Sequence, residues 1–335
     1  MTDKIDLYCI CNPLIDIGIL DVPDNILNKL GLVKNSMNLV DDHRQVEILT
    51  MLNDYQVHTE VGGSGVNTAV LFSQLGGKSA FNGKISNDEN GRRFLESLEK
   101  SGVQSCMSVA NDGYTGSTII LVNKDGARTM NTNLGISRSF CPDDLFLEDL
   151  AKSKTAYFTG YCWDTDNQQK AVVKALEHAT QNNVKVALCL ADPFCVERHF
   201  EAFRELILEY VDIGIMNLSE GQILSQKNDI EDIIKYLSER MDHFVITNSK
   251  HGSVIYYDKQ QIQIPPYHGE AIDSTGAGDV YAGAYLYGLS AGLGVEKSGH
   301  LASYFAGLII GRPGPRFTEN IKELADGFLA EKITL

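Results

Sequence analysis

A glycine-rich segment near the C-terminal end, Asp273–Asp279, carries residue types that could transfer a negatively charged group. It precedes a long apolar pattern that predicts a helix. The main-chain N–H groups of Gly276, Ala277 and Gly278 at the start of this helix would form a cradle for an anion. Asp279, in the first turn, could take a proton from an attacking hydroxyl, although an acidic residue there also complements the helix dipole. Together these features predict phosphoryl transfer.

A second glycine-rich segment, Val61–Ala69, lies between a predicted strand and an apolar helical pattern. Its glycines would let a ligand approach the backbone, and the start of the helix offers free N–H groups. Asn67 would lie in the first helical turn, where its amide could cap the helix or bind a ligand. The glycines alone fit a ligand site and a plain capped turn equally well.

Other nucleotide-binding patterns fail in this sequence. Leu75–Ser79 ends like a Walker A loop, but Phe72 stands where the first glycine is required. The GxGxxG pattern of dinucleotide-binding proteins fails because Tyr281 replaces its last glycine. A nicotinamide-dependent dehydrogenase is therefore disfavoured, and the HExxH and GxSxG motifs are absent as well.

The elements that would position the two segments alternate between β-like runs and amphipathic helical patterns. This alternation predicts βαβ units and a mostly parallel, doubly wound α/β sheet. The predicted strands are Ile5–Ile10, Ala156–Thr159, Lys185–Leu190, Val211–Ile215, Phe244–Thr247 and Gln261–Pro265, and the predicted helices are Asp166–Asn182, Glu197–Glu209 and Ile230–Arg240.

Additional β-like runs in the first 135 residues fall outside this alternation. They are Ile15–Leu20, Gln56–Val61, Gly116–Val122 and Ala127–Thr132. Some of these runs have few matching helices, so we expect a small β element that covers one face of the α/β core. The last stretch, residues 278–335, has patterns typical of helix over nearly its whole length.

The whole-chain properties narrow the class of protein. The 335 residues are 43% hydrophobic and 22% charged, which is typical of a globular chain. The net charge of −15 argues against a general nucleic-acid or anionic-membrane binder, because both need basic surfaces, but it allows one small anion in a local positive pocket. The sequence shows no signal peptide or membrane-spanning run. Seven cysteines without a CxxC pair predict free thiols in the cytoplasm.

The two glycine-rich segments together resemble the signatures of the PfkB carbohydrate kinase family, also called the ribokinase-like family. Asp273–Leu286 fits the C-terminal DTxGAGD signature, and Gly62–Gly76 fits most of the N-terminal GGxxxN signature. Within the family, Asn12–Ile17, Asn35–Val40 and Gly160–Trp163 look most like the adenosine kinase branch. The order and spacing of strands and helices are similar over nearly the whole chain.

The resemblance implies a ribokinase-like, doubly wound, three-layer α/β sandwich with a small β lid. Residues 1–335 would form a single large kinase domain. The lid would be built from discontinuous segments approximately within 12–62 and 115–135.

The resemblance also implies roles for individual residues, grouped by what they would bind. The implied groups are Asp279 as general base with Gly276, Ala277 and Gly278 as anion hole; Asp16, Gly63, Asn67 and the lid residue Arg128 for the acceptor; Asn217 and Glu220 near Mg²⁺ and the phosphates; Thr247 and Gly252 on the nucleotide side; and Asp273, with the Gly311–Gly314 turn, for a monovalent cation such as K⁺.

Several of these residues also fit ordinary structural roles. Asp16 could be a turn residue, Glu220 could favour a helix N-terminus, and Arg128 could be a solvated hairpin residue. Tyr161 and Trp163 could stack on a base, although apolar packing suits them at least as well.

We therefore expect an ATP- and Mg²⁺-dependent kinase that phosphorylates a primary hydroxyl of a ribonucleoside or sugar and resembles adenosine kinases. A ribokinase- or fructokinase-like sugar kinase is the alternative, and a catalytically inactive nucleotide-binding regulator is a remote one. The expected partners are the small-molecule acceptor and ATP, with no nucleic acid and no membrane. The chain would act as a monomer or a homodimer.

Overall fold

The computed structural model describes residues 4–267 and 271–333, which contain two β-sheets with fourteen strands. The strands are β1 Ile5–Ile10, β2 Leu14–Ile19, β3 Met37–Leu39, β4 Val57–Gly62, β5 Ser79–Ser86, β6 Gln104–Ala110, β7 Thr115–Val122, β8 Arg128–Gly135, β9 Ser153–Thr159, β10 Lys185–Cys189, β11 Ile213–Asn217, β12 His243–Thr247, β13 Ser253–Tyr257 and β14 Gln260–Ile264.

Thirteen α-helices accompany these strands within the described ranges. They are α1 Asp24–Lys29, α2 Asp42–Met51, α3 Ser64–Gln74, α4 Glu89–Lys100, α5 Leu147–Ala151, α6 Asp166–Gln181, α7 Pro193–Arg198, α8 Phe200–Glu209, α9 Leu218–Ser225, α10 Ile230–Ser238, α11 Ala277–Ser290, α12 Val295–Ile309 and α13 Ile321–Ile333.

The larger sheet has nine strands in the order β14-β13-β12-β11-β10-β9-β1-β5-β6. Its neighbours from β12 to β6 pair in parallel, and β13 and β14 add an antiparallel edge. The central strand β1 is buried along nearly its whole length, as expected for a parallel sheet covered on both faces. The predicted α/β alternation is therefore present, with strand boundaries displaced by a few residues.

The smaller sheet has five strands in the order β3-β8-β7-β2-β4. Side chains alternate between its two faces, because successive residues of a strand point in opposite directions. Ile119 and Leu121 pack with α1 and α2 in a second apolar core, while Thr118 and Thr132 face a cavity between the two sheets. The extra β-like runs of the N-terminal region thus form one sheet with its own core.

Besides strands that the sequence did not predict, such as β5 and β6, three features differ from the sequence-based expectations. The predicted helix over Glu197–Glu209 is wrong at its start, because His199 leaves helical geometry and divides α7 from α8. Pro193, the first residue of α7, follows an Asp192 cap that starts the helix earlier than predicted. The C-terminal stretch contains α11, α12 and α13 with an irregular loop at residues 311–320 between the last two helices.

The seven cysteines are free thiols, and five of them are buried. This matches the free thiols expected from their odd number and their apolar surroundings. Within the described ranges, no helix combines the length and apolar character that crossing a bilayer requires.

The packing of α11 against α3 yields a prediction about Gly283. A Cβ atom there would lie 2.9 Å from the main-chain oxygen of Thr68, so Gly283→Ala must push the two helices apart. We expect Gly283→Ala to lower the free energy of unfolding by about 1–3 kcal/mol, as overpacked core substitutions do. Urea unfolding followed by circular dichroism measures this loss.

The matched control is Gly327→Ala in α13, where a Cβ atom would meet nothing within 4 Å. That change should be neutral or stabilise the protein by about 0.5–1 kcal/mol, because alanine is the better helix former. Equal stability of the two variants would contradict the close packing of α3 and α11.

Candidate active site

A cavity of about 430 Å³ lies between the two sheets, at the carboxyl ends of the parallel strands of the larger sheet. Ligands of open α/β sheets bind in the crevice at this end. The predicted site residues that line the cavity are Asp16, Gly63, Asn67, Asn217, Glu220, Thr247, Gly276, Gly278 and Asp279. The structure therefore brings most of the predicted acceptor, nucleotide and catalytic residues to one place.

The contact between α3 and α11 holds the carboxylate of Asp279. Ser64 donates a hydrogen bond to its Oδ1 at 2.6 Å, and the Asn67 amide nitrogen donates to its Oδ2 at 3.0 Å. The Thr68 hydroxyl also donates to the main-chain oxygen of Asp279 at 3.2 Å. Both carboxylate oxygens are thus fixed by donors from the first turn of α3, the second glycine-rich segment.

The pKa of Asp279 suits a general base that works near neutral pH. Burial raises its pKa to about 6, while hydrogen bonds from Ser64 and Asn67 and the charge of Arg316 act in the opposite direction. A carboxyl with this pKa is mostly ionised at pH 7, and it accepts a proton more readily than an exposed aspartate does. The site can therefore take up a proton at neutral pH.

The backbone at Gly276 has a conformation that favours glycine. Its φ is +73°, and a Cβ atom would lie 2.4 Å from the Cβ of Pro315. Gly276 and Gly278 border the cavity, where the start of α11 favours an anion. Ala277 is not among the lining residues, and its N–H donates to the Ser274 oxygen at 3.3 Å. In this conformation the cradle is formed by the two glycines more than by Ala277.

Asn217 and Glu220 form a reciprocal cap at the start of α9. The Asn217 N–H and amide nitrogen donate to the two carboxylate oxygens of Glu220 at 3.0 and 2.5 Å, and the Glu220 N–H donates to the Asn217 side chain. Burial raises the pKa of Glu220 to about 7. The helix-start role of Glu220 is therefore real, and its carboxylate borders the cavity as well.

These residues fit an indirect contact with Mg²⁺ better than direct ligation. Both oxygens of Glu220 already accept hydrogen bonds. No group of three or more histidine, cysteine, aspartate or glutamate side chains in the described ranges has the arrangement of a metal site. A magnesium ion that arrives with the nucleotide keeps several waters, through which such a residue can contact it.

Arg128 and Asp273 form an ion pair that joins the smaller sheet to the loop before α11. Asp273 also accepts hydrogen bonds from the N–H groups of Thr275 at 2.8 Å and Gly314 at 2.9 Å. Neither Arg128 nor Asp273 is among the cavity-lining residues. A monovalent cation would have to share the Asp273 carboxylate with the Arg128 guanidinium, so K⁺ at this position stays a prediction.

Gly252, predicted on the nucleotide side, is also absent from the lining residues. It has a φ of +81°, and a Cβ atom would lie 2.1 Å from the main-chain oxygen of Ile264. The tight turn before β13 therefore accounts for this glycine without a ligand. Thr247, at the end of β12, does border the cavity.

Comparison with known proteins decides the family. The model of the pfkB family carbohydrate kinases matches residues 29–322, a range that includes every predicted site residue except Asp16. The chain belongs to this family.

Two relatives and one solved structure illustrate the range of pfkB kinases that this chain resembles. The adenosine kinase of Saccharomyces cerevisiae is 28% identical over 331 residues, which cover 93% of this chain and 96% of that protein. The 5-dehydro-2-deoxygluconokinase of Bacillus licheniformis is 28% identical over 294 residues, covering 84% and 89%. The crystal structure of adenosine kinase from Sinorhizobium meliloti has a TM-score of 0.91 and 31% identity, covering 97% and 99%.

These similarities confirm the expected family, the ribokinase-like fold and the class of activity. This pfkB kinase transfers a phosphoryl group to an alcohol of a ribonucleoside or a sugar. Membership of the family implies ATP as the donor and Mg²⁺ as its metal. Nothing in the comparisons favours the inactive regulator.

Sequence reasoning missed four residues of the site in this pfkB kinase, namely Arg316, Phe194, Arg198 and Ser64. Arg316 donates from Nε to the Asn67 oxygen at 2.9 Å, but no motif in the sequence links two residues so far apart. Phe194 and Arg198 border the cavity, with the guanidinium 4.5 Å from the ring centroid. Ser64 lies within the second glycine-rich segment and could have been found there as a hydroxyl beside a predicted ligand site. Trp163 is buried and does not line the cavity.

The Asp273 contacts predict a pH-dependent contribution to stability. Burial of Asp273 opposes ionisation, but the two N–H donors and Arg128 outweigh it and hold the pKa of this carboxyl below its usual value of 3.8. The stabilisation is therefore fully present above about pH 4 and is lost as the pH falls through the lowered pKa. Asp273→Asn should lower the free energy of unfolding by roughly 1 kcal/mol at pH 7, and the difference should shrink below pH 4.

The control for this prediction is Asp125→Asn. Asp125 forms an exposed ion pair with Lys34 at 2.6 Å, and such pairs contribute little to stability. Denaturant unfolding of both variants and the original protein between pH 3 and pH 8 tests the prediction. A constant difference for Asp273→Asn across this range would contradict it.

Proposed function

We propose that this pfkB kinase is an ATP-dependent ribonucleoside kinase that phosphorylates the primary hydroxyl of adenosine or a similar nucleoside. The composition of the cavity wall is the observation that favours a nucleoside over a free sugar as the acceptor. The smaller sheet contributes Met37, Leu39, Met130 and Leu134, and α7 contributes Phe194, whose side chain is 45% exposed. Thioether, aliphatic and aromatic groups suit a flat base better than a hydroxyl-rich free sugar.

The polar end of the cavity supports binding of the ribose. Asp16, Gly63 and Asn67 all border it, and in our proposal they hold the ribose hydroxyls. Burial raises the pKa of Asp16 to about 7. Hydroxyl groups that donate to this carboxyl would favour its ionised form. Acceptor binding would therefore offset the cost of burying the charge of Asp16.

Asp279 would act as the general base. Its carboxylate, fixed by Ser64 and Asn67, would take the proton of the primary hydroxyl as that oxygen attacks the γ-phosphorus. The bond from the γ-phosphorus to the oxygen that bridges it to the β-phosphate would break, and ADP would leave with that bonding pair. Gly276 and Gly278 at the start of α11 stabilise the negative charge of the transferring group. Mg²⁺ supplied with ATP would neutralise phosphate charge, and Asn217 and Glu220 are the residues that would contact it through water.

The nucleotide would occupy the part of the cavity near the ends of β11 and β12. Asn217, Glu220 and Thr247 border this part. Asn217 and Glu220 are held by the cap of α9, and the Thr247 hydroxyl donates to the Met216 oxygen at 3.5 Å. These residues would present a fixed polar surface to the phosphates and to the water shell of the metal. Rigid polar groups of this kind lower the barrier because they need no rearrangement during the reaction.

We propose that residues 1–335 form one kinase domain with the smaller sheet as its lid. The strands of that sheet lie at residues 14–62 and 115–135. The Arg128–Asp273 ion pair links the lid to the loop before α11. A lid in this position excludes water from the cavity and limits hydrolysis of ATP.

Replacement of the general base gives a direct test. Asp279→Asn keeps the size of the side chain but cannot accept the hydroxyl proton, so we expect kcat to fall by about 10²–10⁴-fold. A coupled assay of ADP release measures kcat, and circular dichroism checks the fold. The matched control, Asp258→Asn, changes an exposed turn residue whose φ of +49° asparagine tolerates, and it should retain full activity. Near-normal turnover of Asp279→Asn would refute the assignment.

The acceptor is tested by the same assay with a panel of alcohols. Adenosine and other ribonucleosides should turn over, and ribose, fructose and 5-dehydro-2-deoxygluconate should not. The apolar wall is tested by Phe194→Ala, which should raise KM for the nucleoside by about 5- to 150-fold, since each stacked base contributes about 1–3 kcal/mol. Turnover of free sugars alone would favour a sugar kinase, the activity of the B. licheniformis relative.

A further inference from the structure

We propose that Arg316 is a positioning residue for phosphoryl transfer, which fixes the Asn67 amide against Asp279 and supplies positive charge to the acceptor end of the cavity. The proposal rests on the proposed function, in which Asp279 removes the hydroxyl proton. Arg316 lies in the loop between α12 and α13, outside the glycine-rich segments.

A chain of two hydrogen bonds connects Arg316 to the base. The Arg316 Nε donates to the Asn67 Oδ1 at 2.9 Å, and the Asn67 Nδ2 donates to the Asp279 Oδ2 at 3.0 Å. An amide has one accepting and one donating end. Because the guanidinium occupies the accepting end, the donating end must face the carboxylate. Without Arg316 the amide could turn its oxygen toward Asp279, which would repel the ionised base.

The charge of Arg316 is not consumed by its own hydrogen bonds. In the described part of the chain its guanidinium donates to two neutral oxygens, those of Asn67 and Ser97, and its Nη2 is buried without a partner. Burial lowers the pKa of Arg316 to about 10, so it remains a cation at neutral pH. A buried cation without a paired anion is costly to a fold. The positive charge of Arg316 therefore remains available to act on nearby carboxylates.

The charge of Arg316 interacts with three carboxylates. Asp16 and Glu60 lie opposite each other on β2 and β4, and Asp279 lies on α11. The charge of Asp279 opposes ionisation of Asp16, so a shared cation lets the base stay ionised while the acceptor binds to Asp16.

Other titratable groups also face Asp279. They are Asp16 from β2, the thiols Cys11 and Cys189, and the phenols Tyr157 and Tyr161. None of these groups and none of the donors from α3 is a cation. Arg316 supplies the positive charge that acts on the Asp279 carboxyl. Its removal should therefore raise the pH at which Asp279 loses its proton.

The test compares pH profiles of kcat between pH 5 and 9 at saturating Mg-ATP and adenosine. Arg316→Met should move the acid limb upward by roughly 0.5–1 pH unit, because the ionised base loses a stabilising charge. It should also lower kcat at pH 7 by about tenfold, with KM for Mg-ATP changed less than threefold. Arg316→Lys keeps a cation without the planar fork, so its acid limb should lie between those of Arg316→Met and the original enzyme.

The matched control is Ser97→Ala. It removes the second hydrogen bond of Arg316, 3.1 Å long, and leaves the contact with Asn67. Its acid limb should coincide with that of the original enzyme. The same comparison in an Asp16→Asn background separates the titration of Asp279 from that of Asp16. If Arg316→Met does not fold, as judged by circular dichroism, Arg316→Gln replaces it, because glutamine can donate to Asn67 but carries no charge.

An acid limb of the folded Arg316 variant that coincides with the original would overturn the inference. A loss of kcat that is equal at every pH would do the same, because it indicates a structural residue only. Failure of the proposed function has another signature, since the original enzyme would then be inactive on ribonucleosides or Asp279→Asn would remain active.

Discussion

The hydrogen bonds between the first turn of α3 and Asp279 on α11 are the interaction on which the site depends. They join segments 212 residues apart in the chain, and they require two helix starts to meet at the same point. Glycines make this possible. A Cβ atom at Gly65 would lie 2.3 Å from the Cβ of Cys11, and one at Gly283 would lie 2.9 Å from the Thr68 oxygen. Gly65 therefore lets α3 approach the chain after β1, and Gly283 lets α11 approach α3.

The electrostatics of the cavity differ from those of the whole chain. The net charge of −15 repels an anion at long range, yet the expected donor, ATP, is itself an anion. Burial raises the pKa values of Asp16 and Glu220 to about 7 and that of Asp279 to about 6. Such a cluster of perturbed carboxyl groups in one cavity is typical of a functional site. The same removal of water strengthens the electrostatic attraction between the phosphates and the groups that must hold them, which are the start of α11 and the cations of the site.

The sequence predicted the parts of the fold that have a simple periodicity. The apolar run of β1 and the alternating runs of the smaller sheet were found because burial on two faces or on one face leaves a regular pattern. Strand β5 was not, although it lies beside β1, because polar residues such as Asn82 interrupt its apolar pattern. Asn82 is fully buried and satisfied by contacts with Tyr8 and the Cys106 oxygen, which only the folded chain supplies.

The residues of the candidate site likewise divide into those that a local sequence pattern reveals and those that only the folded chain brings together. Asp279 and Asn67 belong to local motifs, so their residue types and spacing were enough to predict them. Arg316 belongs to an irregular loop, and its hydrogen bond to Asn67 spans 249 positions. No helical or strand periodicity extends across such a distance. Residues of this kind are found only when packing brings separate segments together.

The construction of the smaller sheet explains how it can cover the cavity and remain stable. Strand β2 places Ile15, its second residue, in the main core and Ile19, its last residue, in the second core, which is formed with α1 and α2. The face toward the cavity carries Thr118 and Thr132, whose hydroxyls are 3.0 Å apart. A displacement of this sheet would break the ion pair of Arg128 and the contact of Ile15 with the main core, and it would leave the second core intact. In our proposal that this sheet is the lid, the second core makes it a rigid body, and the Arg128–Asp273 ion pair is one of the contacts that hold it at the rim of the site.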